Sequence, residues 1–247
     1  GEYLKNAANK DDRRTHVLYV VAGAVDVSLH GGNRLTDRSR DFYTFQADLK
    51  STAAKAGYDD DDLHTLNICA ALYHDLGKAI ARERHPYEGY HLVHDLGAVQ
   101  KLDDGNLASD DFRRWLATGF TEDDAIDYYR FFSKLVRYHD MWGNITTGEA
   151  SVVMFSRALD LTESRADGHI VFLGNLLMLN LADQFGTPSL FESDGKPRRV
   201  RPDVLESLME HWKEVADILR KSSGVPELAR AGLMAHAERE GETVERL

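Results

Sequence analysis

Ala70-Ala71-Leu72-Tyr73-His74-Asp75-Leu76-Gly77-Lys78 is an apolar helical run that ends in a histidine and an aspartate side by side, then a glycine and a lysine. Histidine and aspartate together suit a divalent metal. A lysine one turn later can meet a phosphate. Neighbours on a helix point about 100° apart, so His74 and Asp75 can share a target only where the helix ends or bends. Gly77 is expected to permit that here. The stretch therefore predicts a helical chain with a metal site at a helix end.

Outward from it, the pattern stays helical. Arg13 to Ser28 carries Val17, Val20, Val21, Ala24 and Val25 at helical spacing and stops at His30-Gly31-Gly32-Asn33. Residues 41–56 read as a second helix ending at Gly57. Asp60-Asp61-Asp62 places acids at the start of a third, favourable to its dipole, and this one runs to the His-Asp pair. A fourth is expected from Pro86, a preferred first helical position, to about Leu102. A short fifth starts at Ser109-Asp110-Asp111. Thr121 and Asp124 resemble a capping box for a sixth reaching about His139. Gly143-Asn144 is expected to break the chain. Further helices are expected at about 148–162, 168–185, 202–222 and 226–240. Thr187 to Pro202 holds three of the five prolines and reads as a polar surface loop.

Composition bounds the function. The 247 residues are 43% hydrophobic, enough for a sizeable core. A single cysteine, Cys69, excludes a disulfide framework or a cysteine-rich zinc site, as expected of an intracellular, cytoplasmic protein. No signal segment opens the chain, and the most apolar segment, Ile170 to Leu181, is too short for a bilayer and broken by Gly174, Asn175 and Asn180. The chain starts with Gly1 rather than Met, as a trimmed or excised domain would. A net charge of −11 argues against extended nucleic-acid binding.

Of the 11 histidines, His16 precedes Val17, Val20 and Val21 and is expected to face inward. His85 caps the fourth helix and His139 ends the sixth. Asp183 lies late in the most apolar helix, where a carboxylate is costly unless bound to metal or paired, for instance with Arg157 or Arg165. Lys78, Arg82 and Arg84 gather beside the His-Asp pair. They are candidates for a substrate phosphate, with the simpler alternatives of a helix-end cation and two solvated arginines. His64 lies about 15 Å from His74 along one helix and reads as surface. His211 and His236 read as solvated, His169 as a helix start, and Lys196 to Arg201 as a solvated loop.

On these residues the chain resembles the HD superfamily of metal-dependent phosphohydrolases. The family pattern is a lone histidine, often written Arg-x-x-His, then adjacent His-Asp, then a distant Asp, on a helical bundle. Arg13-Arg14-Thr15-His16, His74-Asp75 with Leu76-Gly77-Lys78, and Asp183 match it. Two-metal members add two histidines between the pair and the last Asp, and His85 and His139 resemble these. The resemblance covers about residues 13–186.

It implies an all-α, HD-type helical bundle with a C-terminal helical extension: an HD-type metal-binding domain over 1–186, and a polar loop with C-terminal helices packed on it over 187–247. His16, His74, Asp75 and Asp183 would hold one divalent ion, and His85 and His139, with Asp75 bridging, a second. The ion is one of Fe, Mn, Mg, Ni, Co or Zn. His30 competes for the first position, although Gly31-Gly32 put it in a loop. His91 and His94 compete with His85. The implied activity is hydrolysis of a small-molecule phosphate ester, a nucleotide or cyclic nucleotide being the leading class. Asp75 and Lys78 would be catalytic, and Lys78 with Arg82 or Arg84 would neutralise the phosphate. The same scaffold resembles di-iron oxygenases related to inositol oxygenase. A non-catalytic regulatory metal-binding module is a further alternative. A CRISPR-associated HD nuclease is disfavoured by the acidic balance. Oligomeric state is not legible.

Overall fold

The computed structural model describes residues 2–33, 36, 39–95, 122–147, 153–159, 166–186 and 200–221, and every element among them is a helix. The helices are α1 (Glu2–Leu29), α2 (Arg40–Ala56), α3 (Asp60–Tyr73), α4 (His85–Asp95), α5 (Glu122–Tyr138), α6 (Met141–Thr146), α7 (Val153–Leu159), α8 (Ala166–Gly186) and α9 (Pro202–Lys221), with one 3₁₀ turn at Leu76–Ala79. The fold class is all-α.

The apolar segment that is too short for a membrane is the axle of this fold. Every residue of α8 from Gly168 to Ala182 is buried, as expected of a helix that is hydrophobic all round. Helices α1, α2, α3, α5, α6 and α9 all pack on it. Its apparent breakers are packing devices. At Gly174 a Cβ would lie 2.5 Å from Leu49 Cδ1, so the missing side chain admits α2. The Asn175 carbonyl oxygen accepts from the Asn67 amide of α3 deep in the core. A buried polar pair between apolar helices fixes register, because a slip would leave the Asn67 Nδ2 donor and the Asn175 Oδ1 acceptor unpaired. From Asn67 to His74, and from Asn175 to Asp183, is about two helical turns. The paired amides thus bring His74 and Asp183 to the same level of two helices that run the same way.

Local signals set the helix ends. Ser39 caps α2, and Gly57 ends it in the left-handed conformation (φ 86°). Asp59, one residue before the acidic run, caps α3 by accepting from the Asp61 and Asp62 amides. Three boundaries differ from the sequence reading. Helix α1 starts at Glu2 rather than near Arg13; residues 2–12 lack an apolar stripe but are rich in good helix formers. Helix α4 starts at His85 instead of Pro86. Gly143-Asn144 lies inside α6. Met141, Trp142 and Ile145 are buried there, and core packing overrides the turn propensity. The helices expected at Ser109 and 226–240, the Thr121 cap and most of the 187–202 loop lie outside the described residues. No helix among the described residues is long and apolar enough to cross a membrane.

Gly77 acts through space, not through backbone freedom. The left-handed glycines among the described residues are Gly31, Gly32 and Gly57. A Cβ on Gly77 would lie 2.0 Å from the His85 carbonyl oxygen and 2.4 Å from the Gly89 amide nitrogen. The 3₁₀ turn is therefore seated directly on the first turn of α4. Gly77→Ala is expected to destabilise the protein by about 3 kcal/mol, the scale of severe overpacking, and to displace His85. Thermal unfolding with and without added manganese checks this, and an unchanged melting temperature would contradict it.

Candidate metal centre

Helix α3 stops at Tyr73. His74 keeps helical dihedrals, whereas Asp75 turns to φ −97°, ψ 5°, a sparsely populated bridge conformation frequent in active-site residues. That change between neighbours is what lets both side chains reach one target. His16 comes from the middle of α1, Asp183 from the last turn of α8, His139 from just past α5, and His85 from the start of α4. The ends of α3, α5 and α8 at this site are all C-termini, whose partial negative charge favours a cation.

The polar atoms form two linked clusters. In the first, His16 Nε2 lies 3.2 Å from His74 Nε2, from Asp75 Oδ2 and from Asp183 Oδ1. His74 Nε2 lies 3.3 Å from Asp183 Oδ1 and 3.5 Å from Asp75 Oδ1. In the second, His85 Nε2 lies 3.1 Å from His139 Nε2 and 3.3 Å from Asp75 Oδ1, which is 4.0 Å from His139 Nε2. Asp75 thus offers one oxygen chiefly to each cluster. Donors about 2.1 Å from a common ion and at right angles to each other lie about 3 Å apart, so these spacings fit coordination edges.

The outer bonds of the four histidines are uniform. His16 Nδ1 lies 2.7 Å from the Gly186 carbonyl oxygen, His74 Nδ1 2.7 Å from that of Ala71, His85 Nδ1 2.9 Å from that of Arg82, and His139 Nδ1 2.9 Å from that of Val136. A carbonyl only accepts, so each Nδ1 carries a proton and donates it. Each Nε2 is thereby turned inward, the orientation typical of metal-binding histidines. The approach to His16 is tight: a Cβ on Gly186 would sit 2.3 Å from Val20 Cγ2 and 2.8 Å from His16 Nδ1. Asp75 Oδ1 is buried and has no hydrogen-bond partner. A buried anionic oxygen without a hydrogen bond is unfavourable alone and favourable beside a cation. The donor set therefore fits a divalent ion in each cluster.

Electrostatics agree. Burial works against charge on His16, but hydrogen bonds with Asp183 and Asp75 outweigh it and push the imidazole up to about 10. Burial likewise opposes charge on His74, and Asp183 and Asp75 still raise it. His139 is pushed down to about 4, by burial first and by the neighbouring His74 second. Burial would raise both carboxyls, yet the histidines around them, and Lys78 at Asp75, hold Asp75 and Asp183 well below the usual carboxylate range. The raised His16 and His74 imidazoles thus favour positive charge where a cation would sit.

Two consequences follow for the metal-free protein. His16 and His74, whose folded values are raised, contribute stability that is full below about pH 6.5 and is lost as pH rises, for His16 through about 10. His139, whose folded value is lowered, costs stability as pH falls from 6.5 towards 4, and the carboxylates add to that loss as pH falls below 3.8. The melting temperature is expected to peak near neutrality and to fall on both sides. Metal binding at pH 7 is expected to release protons, visible as a buffer-dependent heat in calorimetry. A heat independent of buffer would contradict this.

The other candidates lie elsewhere. Lys78 Nζ is 2.5 Å from Asp75 Oδ2. Arg84 is exposed and pairs with Glu88 at 3.0 Å, and Arg82 is exposed, its carbonyl engaged by His85. His30 is exposed beyond α1, and His91 stacks against Tyr87 and Tyr90. The side chains of His94, Arg157, Arg165 and His236 lie outside the described residues. Three histidine readings change. His64 is half-buried, 3.6 Å from Asp60, rather than on the surface. His211 is half-buried with Nδ1 2.7 Å from the Ser207 carbonyl. His169 is buried within α8 rather than starting it.

Sequence reasoning missed what holds the ligands: the Asn67–Asn175 pair, and Asn180, whose amide reaches the His139 carbonyl at 3.4 Å. Polar residues inside an otherwise apolar helix were the available signal. Comparison with known proteins gives no matching family model, no matching curated protein and no matching solved structure.

Proposed function

We propose that this chain is a metal-dependent phosphohydrolase or phosphodiesterase of the HD type, acting on a nucleotide, cyclic nucleotide or related phosphate ester. The observation that carries the reading is the convergence of four carbonyl-oriented histidine Nε2 atoms on Asp75 and Asp183, with Asp75 Oδ1 buried and unpartnered. His16, His74, Asp75 and Asp183 would hold one ion, and His85, His139 and Asp75 a second. The nitrogen-rich set favours iron, manganese, cobalt, nickel or zinc over magnesium, which prefers oxygen. A bound divalent ion supplies Lewis acidity and acidifies water towards neutral pH.

The chain's own residues do the rest. Asp75 holds the two halves at fixed separation and orients the Lys78 ammonium through their 2.5 Å contact. From there Lys78 can neutralise a phosphate oxygen as charge develops. The backbone carbonyls keep the imidazole rings from rotating, so the site is organised before substrate arrives.

Protein purified without chelator is expected to hydrolyse bis(p-nitrophenyl) phosphate or p-nitrophenyl phosphate, to lose this on metal stripping and to regain it on reloading. A metal-replete protein that turns over neither ester but consumes dioxygen would move the reading to an oxygenase. One that does neither would move it to a binding module.

A further inference from the structure

We propose that Asn180 is a positioning residue for the second ion: it ties the backbone of His139 to the helix that carries Asp183, and so fixes the second cluster against the first. This rests on the two-ion reading above. Asn180 is 3% exposed and lies in the apolar stretch of α8. A buried amide there is costly unless its polar atoms are bonded. Its Nδ2 donates to the His139 carbonyl at 3.4 Å, and its Oδ1 accepts from Gln184 Nε2 at 3.1 Å. A carbonyl only accepts, so His139 fixes which end of the amide faces it. Gln184 then holds the amide plane from the other end.

The surroundings are shaped for this contact. Gly143, in the first turn of α6 just past His139, gives the amide room: a Cβ there would lie 3.2 Å from Asn180 Nδ2. The His139 ring is held separately, its Nδ1 donating to the Val136 carbonyl at 2.9 Å. With the ring held by α5 and the backbone by α8, Nε2 is aimed at His85 Nε2, 3.1 Å away. Asn180, Asp183 and Gly186 follow at three-residue intervals, so they lie on adjacent turns along one side of α8. The Asp183 carboxylate meets His16 at 3.2 Å and His74 at 3.3 Å, and the Gly186 carbonyl lies 2.7 Å from His16 Nδ1. Asn180 serves the second cluster as Asp183 and Gly186 serve the first. The last two turns of α8 thereby set the separation of the two ions.

The competing role is to fill space in the core, and site-selective metal affinity separates the two. Calorimetric titration of the metal-stripped full chain with manganese is expected to resolve two binding steps. The step missing in His139→Ala identifies the second site. Asn180→Leu keeps about the same volume but removes the donor. It should weaken that step by about 10- to 100-fold, the scale of losing a residue that orients a metal ligand, and leave the other step unchanged. Gln184→Leu releases the amide plane and should weaken the same step by less. If Asn180→Leu does not fold, Gln184→Leu decides alone. An unchanged second step, or equal weakening of both, would overturn the positioning role. A wild type that binds no manganese would instead overturn the metal centre, and this role with it.

Discussion

Asp75→Ala is expected to strip the protein of metal and of all phosphate-ester turnover in one step. Its two oxygens divide between the clusters: Oδ2 lies 3.2 Å from His16 Nε2, and Oδ1 3.3 Å from His85 Nε2. The variant should still fold, because Asp75 lies past the end of α3 and outside the apolar core. His74→Ala is expected to behave similarly for the first ion. Normal metal content or turnover in Asp75→Ala, measured by elemental analysis and ester hydrolysis, would contradict the shared role of its two oxygens.

Lys78→Ala is the second large effect, and it separates chemistry from metal binding. Its ammonium touches Asp75 but has no place among the histidine donors. Metal content should therefore persist, and turnover should fall by about 10²-fold, the scale of losing one oriented contact to developing charge. Lys78→Arg keeps the charge and changes the geometry, so partial recovery is expected. If Lys78 is only a helix-end cation, Lys78→Ala costs at most about 1 kcal/mol of stability and leaves turnover alone. Rates on p-nitrophenyl phosphate with metal content measured on the same samples decide between the two.

The part of the site that sequence disclosed is the part built from adjacency and helix ends. His74 and Asp75 were readable because neighbours on a helix share a target only at its end, and α3 ends at Tyr73. His85 was readable from Pro86, which marks a helix start. His16 and Asp183 were readable from their place on strongly apolar helices, where an unpaired polar group is costly. What remained hidden depends on contacts between distant segments. The Asn67–Asn175 pair that sets the level of His74 against Asp183 joins residues far apart in the chain, and neither asparagine shows its partner locally. Gly77 looked like a hinge because its neighbour in space, the His85 carbonyl, cannot be read from the sequence. Gly143-Asn144 looked like a break because turn propensity is local, while the burial of Met141, Trp142 and Ile145 is not.

The most direct measurement is the metal content of protein purified without chelator, taken on the wild type and on His139→Ala. About two equivalents of iron, manganese or another transition ion are expected in the wild type. About one is expected in His139→Ala, because that histidine belongs to the second cluster alone and the first keeps its four donors. A wild-type protein that holds no ion, and acquires none when supplied with manganese or ferrous iron, would contradict the metal centre and every function drawn from it.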